Sequence, residues 1–145
     1  MGALPSHPRN VAVKLEDCLR AQAPEGLVSA YLFGSHASGH AHRESDIDVG
    51  ILLDWNIHAS HRARFEERVR LSAWLSAELH SRADVVILND VPAQFGRRIV
   101  TTGRRVFCAD LEADHTFVRD VQLRAADLEP FLRRTRRVKL NSIAR

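Results

Sequence analysis

The chain is predicted to fold as an α+β domain, a small mixed sheet of about four strands with helices packed against it. Three observations carry this. Four short runs, Leu27–Phe33, Asp46–Leu53, Ala83–Leu88 and Arg104–Cys108, are apolar enough for strands and bounded by turn residues. The segments between and around them place apolar residues at helical spacing. The whole is 145 residues, enough for one real core and hardly a second.

The elements follow in order. Pro5 and Pro8 resist regular structure, so residues 1–9 are expected to be loose. Asn10 is a plausible N-cap for a helix running to about Ala23, with Val11, Leu15, Cys18 and Leu19 along one stripe. Pro24 and Gly26 end it. Leu27–Phe33 is apolar on both faces, as a central strand covered on both sides would be. Gly34-Ser35 then opens a polar turn leading to the second strand. A long helix is expected over about 60–81, burying Phe65, Val69, Ala73, Leu75 and Leu79 and leaving Trp74 on its outer side. A third strand starts at Ala83, a short helix spans about 93–101, and Arg104–Cys108 makes an edge strand. A last helix begins near Asp114 and meets Pro130, a residue that kinks or breaks helices. This divides the chain into a domain over 10–110, a helix over 111–132 and a basic tail over 133–145.

Charge is unevenly spread. Of 21 basic residues, six lie within 131–145, where there is no acid; the remaining 15 face 18 acidic residues, a net of −3 for the rest of the chain. The basicity therefore belongs to the tail, which suits an acidic partner surface or a solvated end, with nucleic acid the weaker alternative. No uncharged apolar run approaches the ~20 residues that span a bilayer, and the N-terminus lacks an apolar signal core. A cytoplasmic protein without a membrane partner is expected. Cys18 and Cys108 are read as buried free thiols.

The chemistry concentrates in Phe33–Asp54. Asp46 and Asp48 are two apart on a strand, so they project from one face while Ile47, Val49 and Ile51 turn to the other. Paired carboxylates repel unless a hard cation such as Mg²⁺, or alternatively Mn²⁺, lies between them. Gly34-Ser35 opens a turn whose backbone N–H groups can meet an anion. A phosphate cradle beside a two-carboxylate site is what metal-assisted phosphoryl or nucleotidyl transfer requires. Asp84, near the start of the next strand, is the candidate third ligand; Asp54 and Asp90 are weaker competitors. His36, His40 and His42 crowd the turn and are read as loop residues, since zinc prefers N and S ligands to a paired-aspartate site.

Gly34-Ser35, ten residues, then Asp46-Ile47-Asp48 resembles the Gly-Ser-x10-Asp-x-Asp signature of the DNA polymerase beta-like nucleotidyltransferases. The wider Gly-Ser-x-Ala-x-Gly-x5-Ser-Asp-Ile-Asp is similar to the minimal nucleotidyltransferase branch, over roughly residues 10–110. Ser38 departs from it, standing where many relatives carry arginine. The resemblance implies the nucleotidyltransferase fold, with Gly34, Ser35 and Ser45 binding the nucleotide and Asp46, Asp48 and Asp84 acting as catalytic metal ligands. It also implies ATP as substrate and AMP transfer to a HEPN-domain toxin that the chain neutralises as an antitoxin. Alternatives are neutralisation by occlusion alone, or transfer to a small molecule or RNA end. With so little chain after the last strand, a partner is expected to complete the acceptor site, docking on the final helix and its basic extension.

Overall fold

The computed structural model describes residues 8–39 and 46–143, with the side chains of 8–10, 129, 131–133 and 135–143 left out. The order is α1 (Pro8–Gln22), β1 (Leu27–Phe33), the single turn α2 (Ser35–Ser38), β2 (Ile47–Leu53), α3 (His61–Leu79), β3 (Ala83–Ile87), a 3₁₀ turn (Leu88–Asp90), α4 (Ala93–Thr102), β4 (Arg104–Cys108) and α5 (Leu111–Ile143). The four strands form one mixed sheet in the order β3-β2-β1-β4. β1 pairs antiparallel with both β2 and β4, and β2 pairs parallel with β3 through the α3 crossover. The expected central strand and mixed sheet are both present.

Two apolar layers cover the sheet. One packs α1 and α3 residues, including Leu15, Leu19, Leu71 and Leu75, against Ile47, Val49, Ile51 and Val85. The other packs Ile99 of α4 and Phe117, Val121 and Ala125 of α5 against Val28, Tyr31 and Leu52. Gly50 admits this second layer closely: a Cβ there would sit 3.1 Å from Ile99 and 3.2 Å from Leu88. A buried polar tie fixes α5 to the sheet. The Tyr31 hydroxyl donates to Asp114 Oδ1 at 2.7 Å, and Arg105 Nη1 donates to Asp114 Oδ2 at 2.9 Å. Burial, then the Asp114 carboxylate, pushes the Tyr31 phenol far above its ordinary range.

Several expectations need correction. α1 begins at Pro8, whose fixed φ suits the first turn, so Asn10 is inside the helix and does not cap it. On α3 the buried residues are Arg64, Glu67, Leu71, Leu75 and Leu79. Trp74 packs against the first layer, while Phe65 and Val69 are 53% and 56% exposed. The leucines won the burial, and two charged residues lie among them, Arg64 fully paired and Glu67 with Oε1 buried without a hydrogen-bond partner. Arg64 forks onto Asp90 with Nε and Nη2 at 2.9–3.1 Å, and Glu67 pairs with Arg70 at 3.3 Å. Cys18 and Cys108 are half-buried free thiols. α5 starts at Leu111 and runs through Pro130 to Ile143, so residues 133–143 continue the helix. Residues 1–7, expected to be loose, lie outside the described residues.

Candidate active site

The site lies where β1 ends and β2 and β3 begin. Because β2 and β3 are parallel and in register, Asp48 stands directly beside Asp84, with Phe33 of β1 on its other flank. Residues paired across a ladder share a face. Asp48 and Asp84 therefore rise from the sheet face that carries Gly50 and the second apolar layer, at its open end. Asp46 precedes β2 by one residue and is exposed. Ile47 and Val49 are buried on the opposite face, as the alternation requires.

Gly34 joins this acidic face to the turn. Its φ of 74° and ψ of −150° belong to a region essentially restricted to glycine. A Cβ there would also overlap Asp48 Oδ2, so the glycine serves both the backbone and the carboxylate. The turn closes with Ala37 and Ser38 donating their N–H groups to the Gly34 carbonyl at 3.2 and 3.1 Å. Ser35 opens α2, and Gly39 ends it in the left-handed conformation.

The electrostatics record crowding of like charges. Burial raises the Asp48 carboxyl above its ordinary range, Asp84 and then Asp46 raise it further, and His36 opposes them. His36 was read from sequence as a loop residue; it is buried in α2. Its position one residue after Ser35 was the available signal, but spacing alone does not distinguish a buried imidazole from an exposed one. Two arginines border the acidic face on its β3 side. Arg82 Nε lies 3.9 Å from Asp46 Oδ2, and Arg68 Nη2 lies 4.0 Å from Asp84 Oδ1. Arg68 is held there by an Nε hydrogen bond to the Val85 carbonyl at 2.7 Å. Neither arginine had been singled out, because nothing in the local sequence ties them to the aspartates.

The competing carboxylates are engaged elsewhere. Asp54 Oδ1 accepts from the backbone N–H groups of Asn56 and Ile57 at 2.8 and 3.0 Å. Burial would raise the Asp90 carboxyl, but hydrogen bonds and charge from Arg64, with His61, hold it below the ordinary range. Both lie at the other end of β2, ~20 Å from Asp48 on a rise of ~3.3 Å per residue. A cavity of about 840 Å³, lined by residues such as Leu52, Trp55, Phe117 and Leu123, is also at that far end and includes none of the three site aspartates. Of the remaining candidates, Ser45, His40 and His42 lie outside the described residues.

An all-oxygen donor set with mutually repelling charges suits a hard divalent cation. Among the described residues, no three His, Cys, Asp or Glu side chains are drawn together as a ready-made metal cage. The backbone register brings Asp48 and Asp84 side by side, and side-chain rotation must do the rest.

Comparison with known proteins agrees with the fold. The protein adenylyltransferase MntA of Shewanella oneidensis is 33% identical over 94 residues, a match covering 65% of this chain and 63% of that protein's length. A crystal structure of a toxin–antitoxin with AMP-PNP is similar in fold, with a TM-score of 0.65 at 25% identity over 92% of this chain and 98% of the other. A tri-AMPylated Shewanella oneidensis HEPN toxin in complex with MNT antitoxin shares the fold at a TM-score of 0.61 and 21% identity, over 95% and 99% of the two chains. The model of the "Polymerase beta, Nucleotidyltransferase" family matches residues 14–112, and this chain belongs to that family.

Proposed function

We propose that this chain is a Mg²⁺-dependent protein adenylyltransferase that transfers AMP from ATP to a HEPN-domain toxin and so neutralises it in the cytoplasm. The observation that carries the reading is the in-register pair Asp48 and Asp84 beside the glycine-restricted turn at Gly34. The similarity to an adenylyltransferase and to toxin–antitoxin structures supports the choice of acceptor.

Gly34 and Ser35 would receive the β- and γ-phosphates, with Ser45 also on the nucleotide. Asp46, Asp48 and Asp84 would hold Mg²⁺, or Mn²⁺ in its place; the cation, when bound, supplies charge neutralisation of the triphosphate and of the entering oxygen. Asp84 stands farthest from the phosphate turn and is assigned to the acceptor hydroxyl. That oxygen forms a bond to the α-phosphorus as the bond to pyrophosphate breaks, and the hydroxyl proton passes to the Asp84 carboxylate. The charge of His36 opposes the effect of burial, Asp84 and Asp46 on the Asp48 carboxyl.

Cells carrying the toxin discriminate this reading from occlusion. Wild-type chain should protect them, and Asp46→Ala with Asp48→Ala should not. Full protection by that double variant, at equal protein level, would favour occlusion and remove catalysis from the neutralisation.

A further inference from the structure

We infer that the acceptor polypeptide docks over the outer edge of β3, on a patch made by Arg68, Arg82, Phe65 and Val69, and that this patch takes a segment carrying acidic and apolar side chains around its hydroxyl. The inference rests on the adenylyltransferase reading and adds to it the surface that receives the protein.

The first argument is directional. In an in-line displacement the entering oxygen and the leaving pyrophosphate lie on opposite sides of the phosphorus. The phosphate turn follows β1, and Asp84 stands two strands away on β3, ~10 Å at ~4.8 Å per strand. β3 is an edge strand with nothing of the sheet beyond it. The acceptor must therefore arrive from the β3 side.

The second argument is what stands there. Arg68 reaches around the edge from α3 to the Val85 carbonyl, which fixes its guanidinium beside Asp84. Phe65 is its i−3 neighbour on the helix surface, and Val69 is in turn i,i+4 from Phe65; both are more than half exposed. Two large apolar residues beside a fixed arginine form a patch that α3 does not need for its own packing, since Leu71, Leu75 and Leu79 do that work. Arg82 extends the positive charge toward Asp46 and is 81% exposed.

The third argument is charge complementarity. At 3.9 and 4.0 Å the two arginines are at the outer limit of ion pairing with Asp46 and Asp84. A carboxylate oxygen that ligates a cation has less to offer an arginine. Where Asp46 and Asp84 hold a cation, Arg68 and Arg82 would be released toward a new anionic partner, so an acidic acceptor segment should bind best after the nucleotide.

The test is direct binding of the toxin with its acceptor hydroxyl removed, measured by calorimetry with Mg²⁺ and a non-hydrolysable ATP analogue. Wild type should bind more tightly with the analogue than without it. Phe65→Ser with Val69→Ser, and separately Arg68→Glu, should weaken toxin binding by about tenfold or more, while Arg68→Lys retains most of it. The Phe65/Val69 variant should bind the Mg²⁺–analogue as wild type does, which separates docking from the nucleotide site. Unchanged toxin affinity in these variants, with wild type still transferring AMP to the intact toxin, would overturn the docking surface alone. So would a loss of affinity seen only on deleting residues 131–145. Absence of both binding and transfer by wild type would overturn the adenylyltransferase reading and this proposal with it.

Discussion

Gly34 and Asp48 show how one residue's backbone and another's carboxylate depend on each other. Gly34→Ala places a Cβ against Asp48 Oδ2 in a backbone conformation that costs an L-residue about 1–3 kcal/mol. The expected outcome is a lower melting temperature together with loss of AMP transfer, read by calorimetric melting and by activity on one preparation. Asp48 predicts the reverse coupling. Its carboxyl is raised above the ordinary range by burial, Asp84 and Asp46. A raised acid destabilises the fold when ionised, so that cost is absent below the ordinary carboxylate range and is fully felt above the raised value. Asp48→Asn should therefore stabilise the fold at neutral pH, by up to about 1 kcal/mol given its partial exposure, while abolishing transfer. The gain should shrink as pH falls through the carboxylate range and on adding Mg²⁺. A neutral-pH melting temperature below that of wild type would contradict this. At this scale the sequence was most legible: the Asp-x-Asp pair, Gly34 and Asp84 could be picked out by type and spacing. What spacing could not reveal was the burial of His36 within the motif and the placing of Arg68 and Arg82 at its edge.

Among the elements, α3 carries the clearest lesson. Its sequence offers two parallel apolar stripes, Phe65–Val69–Ala73 and Leu71–Leu75–Leu79, whose successive members are about 120° apart when laid on 3.6 residues per turn. Pattern alone joined parts of both. The structure buries the leucine stripe together with Arg64, which Asp90 satisfies, and Glu67, which Arg70 meets through one oxygen only. Such partners are distant or local in ways that apolar periodicity does not register. Leu75→Ala should cost about 2–5 kcal/mol, since its side chain is fully buried, whereas Phe65→Ser should be nearly neutral in stability. Urea unfolding of the two variants decides between the stripes. The end of β2 is held by a second side-chain device. Asn89 accepts from the Leu53 N–H at 2.9 Å and donates to the Leu53 carbonyl at 2.8 Å, continuing the strand ladder by an amide. Asn89→Ala should cost about 1–3 kcal/mol without altering the midpoint for Mg²⁺–ATP binding, because the clamp is at the end remote from Asp48. Strand and helix positions were largely readable from punctuation, with Gly26, Gly34 and Gly103 at boundaries. α5 was less so: Pro130 argued for a break, yet the helix continues to Ile143. A proline removes one hydrogen bond and crowds one turn, which a long helix anchored upstream by Asp114, Phe117 and Val121 can bear.

For the whole molecule, the fold places the glycine turn after β1 and the Asp48 and Asp84 carboxylates on β2 and β3, and leaves β3 at the edge of the sheet, where we propose the acceptor arrives. The family and the mixed sheet were legible because the signature is contiguous and the strands are bounded by turns. The surface that meets a partner was not, because it is assembled from α3, β3 and the loop before it. Arg68 and Arg82 contribute to one patch only after the α3 crossover brings them together. The most direct test of the central claim is intact-mass measurement of the HEPN toxin after incubation with this chain, ATP and Mg²⁺. The account predicts a mass gain of one or more AMP units on the toxin, absent without Mg²⁺ and absent with Asp46→Ala plus Asp48→Ala shown to be folded by its melting curve. A toxin whose mass is unchanged by wild type, or one modified equally by the folded double variant, would contradict it.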